Sequence, residues 1–298
     1  MALSNEAFAA LLLTLPLSKN PHDDPAPLTG SELNLLAFTL SSALGAGLSD
    51  LFDLSVDRLI HACGLSGEFA YRVRILIQRE IMLMRAIEES ANAGFTPCTP
   101  VDPAYPAALK NRFEGISAPA VYIRGENLFS DSLNVSVLGA EGVKTPDKAK
   151  HELKALINAL TPLNAAIITS GRPGAGFYAR KFAETVGTPL VTISGGNAAA
   201  CTQGMVVSLA YPLAPENATS VQAVNSLMCR IASSVFLATV REGELPRSIA
   251  CPYLYALDVP ENAAYTSKGF ETVSAITDEW VSAHVPLWCR KAEQLSFL

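Results

Sequence analysis

The stretch AAIITSGRPGAG (residues 165–176) sets the fold: an unbroken apolar run, a Ser-Gly corner, and a glycine-punctuated loop that opens onto helical periodicity. A strand buried on both faces of a parallel sheet reads as continuous apolar residues, and glycine at its carboxyl end lets the chain turn sharply into a helix. The same pattern recurs upstream in VSVLGA (135–140) and downstream in LVTISGG (190–196). Further apolar runs at 120–123, 205–209, 235–240 and 253–259 alternate with helical stretches at 147–160, 176–186 and 219–232. The alternation predicts an α/β fold over 95–298, an extended Rossmann-like, doubly wound and mostly parallel sheet.

Ahead of residue 95 the period is helical. Thr29 and Glu32 have the spacing of a capping box, Leu33, Leu36 and Leu40 keep one face apolar, and further cycles run from Ser55 to Gly64 and from Ser66 toward Gly94. Residues 29–94 therefore read as a small all-helical domain, either a structural cap or a recognition module. Residues 1–28 read as a short appended helix followed by a proline-rich linker, PLSKNPHDDPAPL (16–28).

Composition narrows the function classes. Of the 298 residues 49% are hydrophobic and 17% charged, which excludes extensive disorder. Residues 1–100 hold 6 basic and 11 acidic side chains, against 16 and 17 in 101–298. A polybasic binder of long duplex DNA is thereby excluded, although a local basic crest is not. The six cysteines include no Cys-x-x-Cys pair or zinc spacing, so no metal site is expected. The apolar run at 7–13 lacks a basic leader and is stopped by Pro16, which leads to the expectation of a cytoplasmic protein without membrane attachment.

The strand-end glycines Gly139, Gly171, Gly195 and Gly196 would let backbone amides approach an anion, and helix N-termini favour negative charge there. Any α/β sheet also needs glycines at such corners, so the basic residues tilt the reading. Lys144, Lys148, Lys150 and Lys154 follow the first turn, and Arg172, Arg180 and Lys181 follow the second. Ser170 and Arg172 fall in one loop where a hydroxyl, amides and a guanidinium can face a single phosphate. The lysines read equally well as a solvated helix face. Phe177 and Tyr178 offer stacking faces to bases or, alternatively, core packing. No Walker loop or G-x-S-x-G elbow is present, and the four histidines form no triad, so neither an enzyme nor a cofactor is expected.

Several segments in order carry a family likeness: VDPAYPAALK (101–110), APAVYIRG (118–125), the three strand-end motifs above, YPLAPEN (211–217), VNSLMCRIASSVFLATV (224–240), YALDVPEN (255–262) and SKGFETV (267–273). Together they resemble the DNA-processing protein A (DprA/Smf) family over roughly residues 95–275. The resemblance implies single-stranded DNA on a basic pocket, homodimerisation, loading of a RecA-type recombinase, and binding rather than catalysis. Carried over residue by residue, it adds Asn225 to the DNA-binding candidates; Arg230, read from its place on the helix at 219–232, is a further basic candidate that fits an ordinary surface pair equally well. It departs at Glu141, where the family has a phosphate-binding arginine, and at Val224 and Ser226, where the family's R-N-R keeps only Asn225. The interval between Val240 and Tyr253 is also too short for the family's S-G-S-L-x-T-A helix. Two alternatives follow, a degenerate scaffold for a protein partner and a passive nucleotide binder.

Overall fold

The computed structural model describes residues 4–20, 23–110, 120–131, 133–139, 144–170, 172–216, 218–241, 243–245, 249 and 251–295, without the side chains of 266, 267 and 290–295. Contacts divide the chain into two compact units, one of Met1–Arg124, Gly196–Ala199 and Ser208–Ala218, the other of Gly125–Gly195, Ala200–Val207 and Thr219–Leu298.

The first unit contains α1 (Asn5–Thr14), α2 (Gly30–Leu44), α3 (Val56–His61), α4 (Gly67–Ile77), α5 (Glu80–Asn92), β1 (Thr96–Cys98), α6 (Ala107–Lys110) and β2 (Val121–Arg124), with β1 and β2 antiparallel. The Thr29–Glu32 capping box forms as its spacing dictates, and Gly45 closes α2 in the left-handed conformation at φ 62°. The first helix is no appendage: Leu11, Leu12 and Leu13 are fully buried. Glu6 on α1 also accepts hydrogen bonds from the Leu48 and Ser49 amides at 3.0 Å.

The expected single helix from Ser66 toward Gly94 is broken at Gln78–Arg79. Arg79 turns its guanidinium inward, onto the Asp24 carboxylate and the carbonyls of Leu12 and Leu15. Those carbonyls lie at the end of α1, where intrahelical donors run out, so a buried cation satisfies them. The proline-rich stretch is consequently a fastened strap. Asp24 accepts from the Leu17 amide at 2.7 Å, and the Tyr122 hydroxyl donates to the Pro16 carbonyl at 2.8 Å.

The second unit is the predicted doubly wound layer structure. Its elements are β3 (Asn134–Gly139), α7 (Asp147–Leu160), β4 (Ala166–Thr169), α8 (Ala175–Val186), β5 (Leu190–Ser194), β6 (Met205–Ser208), α9 (Val221–Ile231), β7 (Ser234–Thr239), β8 (Leu254–Leu257), β9 (Glu271–Val273) and α10 (Asp278–Leu295). Strand order is β6-β5-β4-β3-β7-β8-β9, with parallel ladders from β5 through β4, β3, β7 and β8 to β9. The pleat assigns the two faces. Val135 and Val137 pack with Leu153 and Ile157 of α7 and Ala175 and Ala179 of α8, whereas Ser136 between them donates to the Met228 carbonyl of α9 at 2.8 Å. Trp288 of α10 donates to the Tyr255 hydroxyl at 3.0 Å and anchors that helix on the α7 face.

Candidate nucleic-acid interface

Chain order reverses between β3 and β7: β4, β5 and β6 lie to one side, β8 and β9 to the other. In an open α/β sheet the ligand crevice lies beyond the carboxyl ends of the strands at such a reversal. Gly139 ends β3 there, opposite Thr239 of β7. A Cβ at Gly139 would lie 2.4 Å from the Ala175 Cβ, so glycine is needed for α8 to start directly against the strand end. The buried hydroxyls of Thr145 and Thr239 make no hydrogen bond among the described residues, which is costly unless a further partner completes them. Asn262 braces the same edge by donating to the carbonyls of Leu237, Ala238 and Leu257 at 3.0–3.1 Å. Sequence reasoning missed these three residues, because a threonine or asparagine near a strand end carries no spacing signal.

Ser170 follows β4, and its hydroxyl accepts from the Arg172 amide at 3.5 Å. Gly171 and Glu141 lie outside the described residues. Gly174 takes φ 107°, which only glycine adopts without strain, and aims α8 back over the sheet. Arg172 is buried, with Nη2 3.5 Å from the Thr219 carbonyl. A Cβ at Gly195 would lie 3.1 Å from that nitrogen and 2.9 Å from Val224, so Gly195 makes room for the guanidinium.

Arg180 and Lys181 lie on α8, and Lys144 precedes α7. Helices α7 and α8 pack together, and their cations are interleaved with aromatic rings. The Lys150 ammonium lies 4.9 Å from the Tyr178 ring centre, and the Arg180 guanidinium 5.5 Å from that of Phe177, whose side chain is exposed. Carboxylates share several of these charges. Lys148 pairs with Asp258 at 2.9 Å, Lys150 with Asp147 at 2.8 Å and Arg180 with Glu184 at 3.6 Å. The hydrogen bond and charge of Lys150, with Lys144 adding to them, hold the Asp147 carboxyl below its ordinary range. Lys144, Lys154 and Lys181 are exposed and form no ion pair among the described residues.

The remaining candidates lie elsewhere. The β5 turn is covered by backbone: a Cβ at Gly196 would lie 1.8 Å from the Pro215 carbonyl oxygen, and the Thr219 amide donates to the Gly195 carbonyl at 2.7 Å. Asn225 is buried, with its side-chain amide donating to the Glu244 carbonyl at 2.9 Å. It and the half-buried Arg230 are on α9, across the sheet from α7 and α8. The structure thus puts Gly139 and Ser170 at the ends of neighbouring strands and Arg180 and Lys181 on the helix that follows, and separates Asn225 and Arg230 from them on α9. Among the described residues no cluster of three His, Cys, Asp or Glu side chains forms, and no helix is long and apolar enough to cross a membrane.

No protein-family model matches the sequence, and no curated protein is similar to it at the sequence level. Solved structures resemble it in fold. DNA processing protein A (DprA) from Streptococcus pneumoniae superposes with TM-score 0.63 at 14% identity, covering 95% of this chain and 98% of that one. DNA processing protein A from Helicobacter pylori, described for its single-stranded DNA binding mode, gives TM-score 0.49 at 14% identity over 64% of this chain and 96% of that one. The Moco carrier protein from Chlamydomonas rheinhardtii gives 0.38 at 12% identity over 52% and 99%. The first of these covers nearly the whole of both chains, and with it this chain shares the fold of DNA processing protein A.

Proposed function

We propose that the chain is a divergent DprA-like protein that binds single-stranded DNA in DNA processing or recombination, acting by binding rather than by catalysis. The observation that carries this reading is the interleaving of cations and rings on α7 and α8, Lys150 with Tyr178 and Arg180 with exposed Phe177, in a DprA fold. Stacking on aromatic faces together with neutralised phosphates is how sequence-tolerant binders hold single strands, at about 1–3 kcal/mol per stacked base. Delivery of the strand to a RecA-type recombinase, homodimerisation and a cytoplasmic location go with the reading through the sequence resemblance. Buried Cys98 and Cys229 have thiols pushed up to about 11 and about 12 by desolvation, so neither supplies a thiolate nucleophile at neutral pH.

A specific observation favours a second reading, a scaffold that has lost DNA binding. Arg172 is folded inside, the β5 turn is covered, and Asp147, Glu184 and Asp258 sit against the cations of the proposed face. Fluorescence anisotropy of a labelled oligo-dT at two salt concentrations separates the two, with wild type and an Arg172→Ala/Arg180→Ala/Lys181→Ala variant. DNA binding predicts salt-weakened affinity that the variant loses, whereas no binding at micromolar protein overturns it.

A further inference from the structure

Both cations that border rings on α7 and α8 also hold a carboxylate. Lys150 lies by Tyr178 and pairs with Asp147 at 2.8 Å, and Arg180 lies by Phe177 and pairs with Glu184 at 3.6 Å. The helical period makes both ion pairs, since Asp147 stands three residues before Lys150 and Glu184 four residues after Arg180. The Asp147 side chain is 96% exposed against 24% for Lys150, so of that pair it is the carboxylate that meets solvent. The hydrogen bond and charge of Lys150 keep Asp147 ionised at neutral pH. Glu152, the third carboxylate on these two helices, is turned away: it is buried and accepts from the Ile276 amide at 2.6 Å.

A phosphate that reaches Lys150 or Arg180 is thereby brought close to a carboxylate, and something has to offset the repulsion. A single strand offers two ways. Its unpaired bases can lie on the exposed ring of Phe177, and its flexible backbone can carry the phosphate past the carboxylate. A duplex offers neither, because its bases are already stacked and paired within the helix. It also presents about one charge per 1.7 Å of axis on a rod that stays stiff over roughly 150 base pairs. The same two carboxylates therefore cost a duplex more than they cost a single strand.

We propose that Asp147 and Glu184 are specificity-determining residues, which keep duplex nucleic acid off the α7 and α8 surface while single strands are admitted. The inference rests on single-strand binding at that surface and supplies the basis of its selectivity. A repulsive element set beside the attractive one separates two partners that share the same phosphate chemistry.

The test compares oligo-dT with a hairpin duplex of the same phosphate number, by fluorescence anisotropy on the full-length protein. Wild type is expected to prefer oligo-dT. Asp147→Asn/Glu184→Gln should tighten the duplex by about tenfold and oligo-dT by about threefold or less, so that the preference narrows. Asp57→Asn/Glu68→Gln removes the same charge from exposed positions of the first unit and should leave the preference as it is in wild type. Equal gains for the two ligands, no gain for the duplex where wild type binds oligo-dT, or the same narrowing in the first-unit variant would overturn the proposal. No binding of oligo-dT by wild type or either variant would instead overturn single-strand binding itself, and this inference with it.

Discussion

Arg79 and Arg172 are both buried, 4% and 7% exposed, yet they are held differently. Arg79 sits in the first unit on a carboxylate and two carbonyls more than fifty positions distant in sequence, and its contacts close the end of α1 and break α4 from α5. Arg172 has Gly171 and Gly174 on either side in the sequence, and its Nη2 lies 3.5 Å from the Thr219 carbonyl. One arginine is a tie that folding consumes. The other occupies the loop from which an α/β crevice is built, in a space that Gly195 leaves open. Burial alone therefore does not sort structural from functional cations; the place of each in the fold does.

The sharpest way to break this comparison is Arg79→Met. It strands the Asp24 carboxylate and two carbonyls, and should lower stability by about 3–5 kcal/mol in urea unfolding. Arg79→Met/Asp24→Leu should recover much of that loss, and equal stability of wild type and the single variant would refute the tie. Next in size is Gly139→Ala, where the new methyl meets Ala175 at 2.4 Å and forces α8 away from β3. A loss of about 1–3 kcal/mol is expected, partly restored by Ala175→Gly. Arg172→Gln should cost less than Arg79→Met, about 1–2 kcal/mol, because glutamine keeps a side-chain donor where methionine keeps none. A cost as large as that of Arg79→Met would erase the distinction between the two.

Two smaller effects sharpen the picture. Lys181→Ala should leave the melting temperature unchanged and reduce the salt dependence of oligo-dT binding by about one ion, read from log Kd against log salt. Glu89 accepts from Arg85 Nε at 2.7 Å and from the Tyr211 hydroxyl at 2.8 Å, and these hydrogen bonds hold its carboxyl at about 2, below the ordinary 4.5. Its ion-pair contribution is therefore present above pH about 4.5 and lost as pH falls toward 2. Glu89→Gln should flatten that acid limb of the stability profile, and an unchanged limb would show that the pairing carries no stability.

The sheet was legible because β3, β4, β5 and β7 are buried on both faces and read as unbroken apolar runs, and α7 was legible because Ala149, Leu153, Leu156 and Leu160 keep its period. Elements without such a run were not. β1 is three residues with a proline, β9 is three residues mostly exposed, and α10 contains Pro286, which masks the spacing of Trp280, His284 and Trp288. The role of α1 was hidden because Arg79, which buries its carbonyl end, is sixty-odd positions away. At the candidate site, Lys144, Arg180 and Lys181 announced themselves by charge. The inward turn of Arg172 depends on Thr219, forty-seven positions on, a pairing that no local pattern encodes. Thr145, Thr239 and Asn262 matter only through tertiary position.

The most direct test of the central claim is photocrosslinking of a bromodeoxyuridine-substituted single strand to the full-length protein, with crosslinked peptides mapped by mass spectrometry. The account predicts crosslinks at Phe177 and Tyr178, lost on Arg180→Ala/Lys181→Ala. Crosslinks confined to residues 1–124, or none under conditions where the strand is bound, would contradict a single-strand interface on α7 and α8.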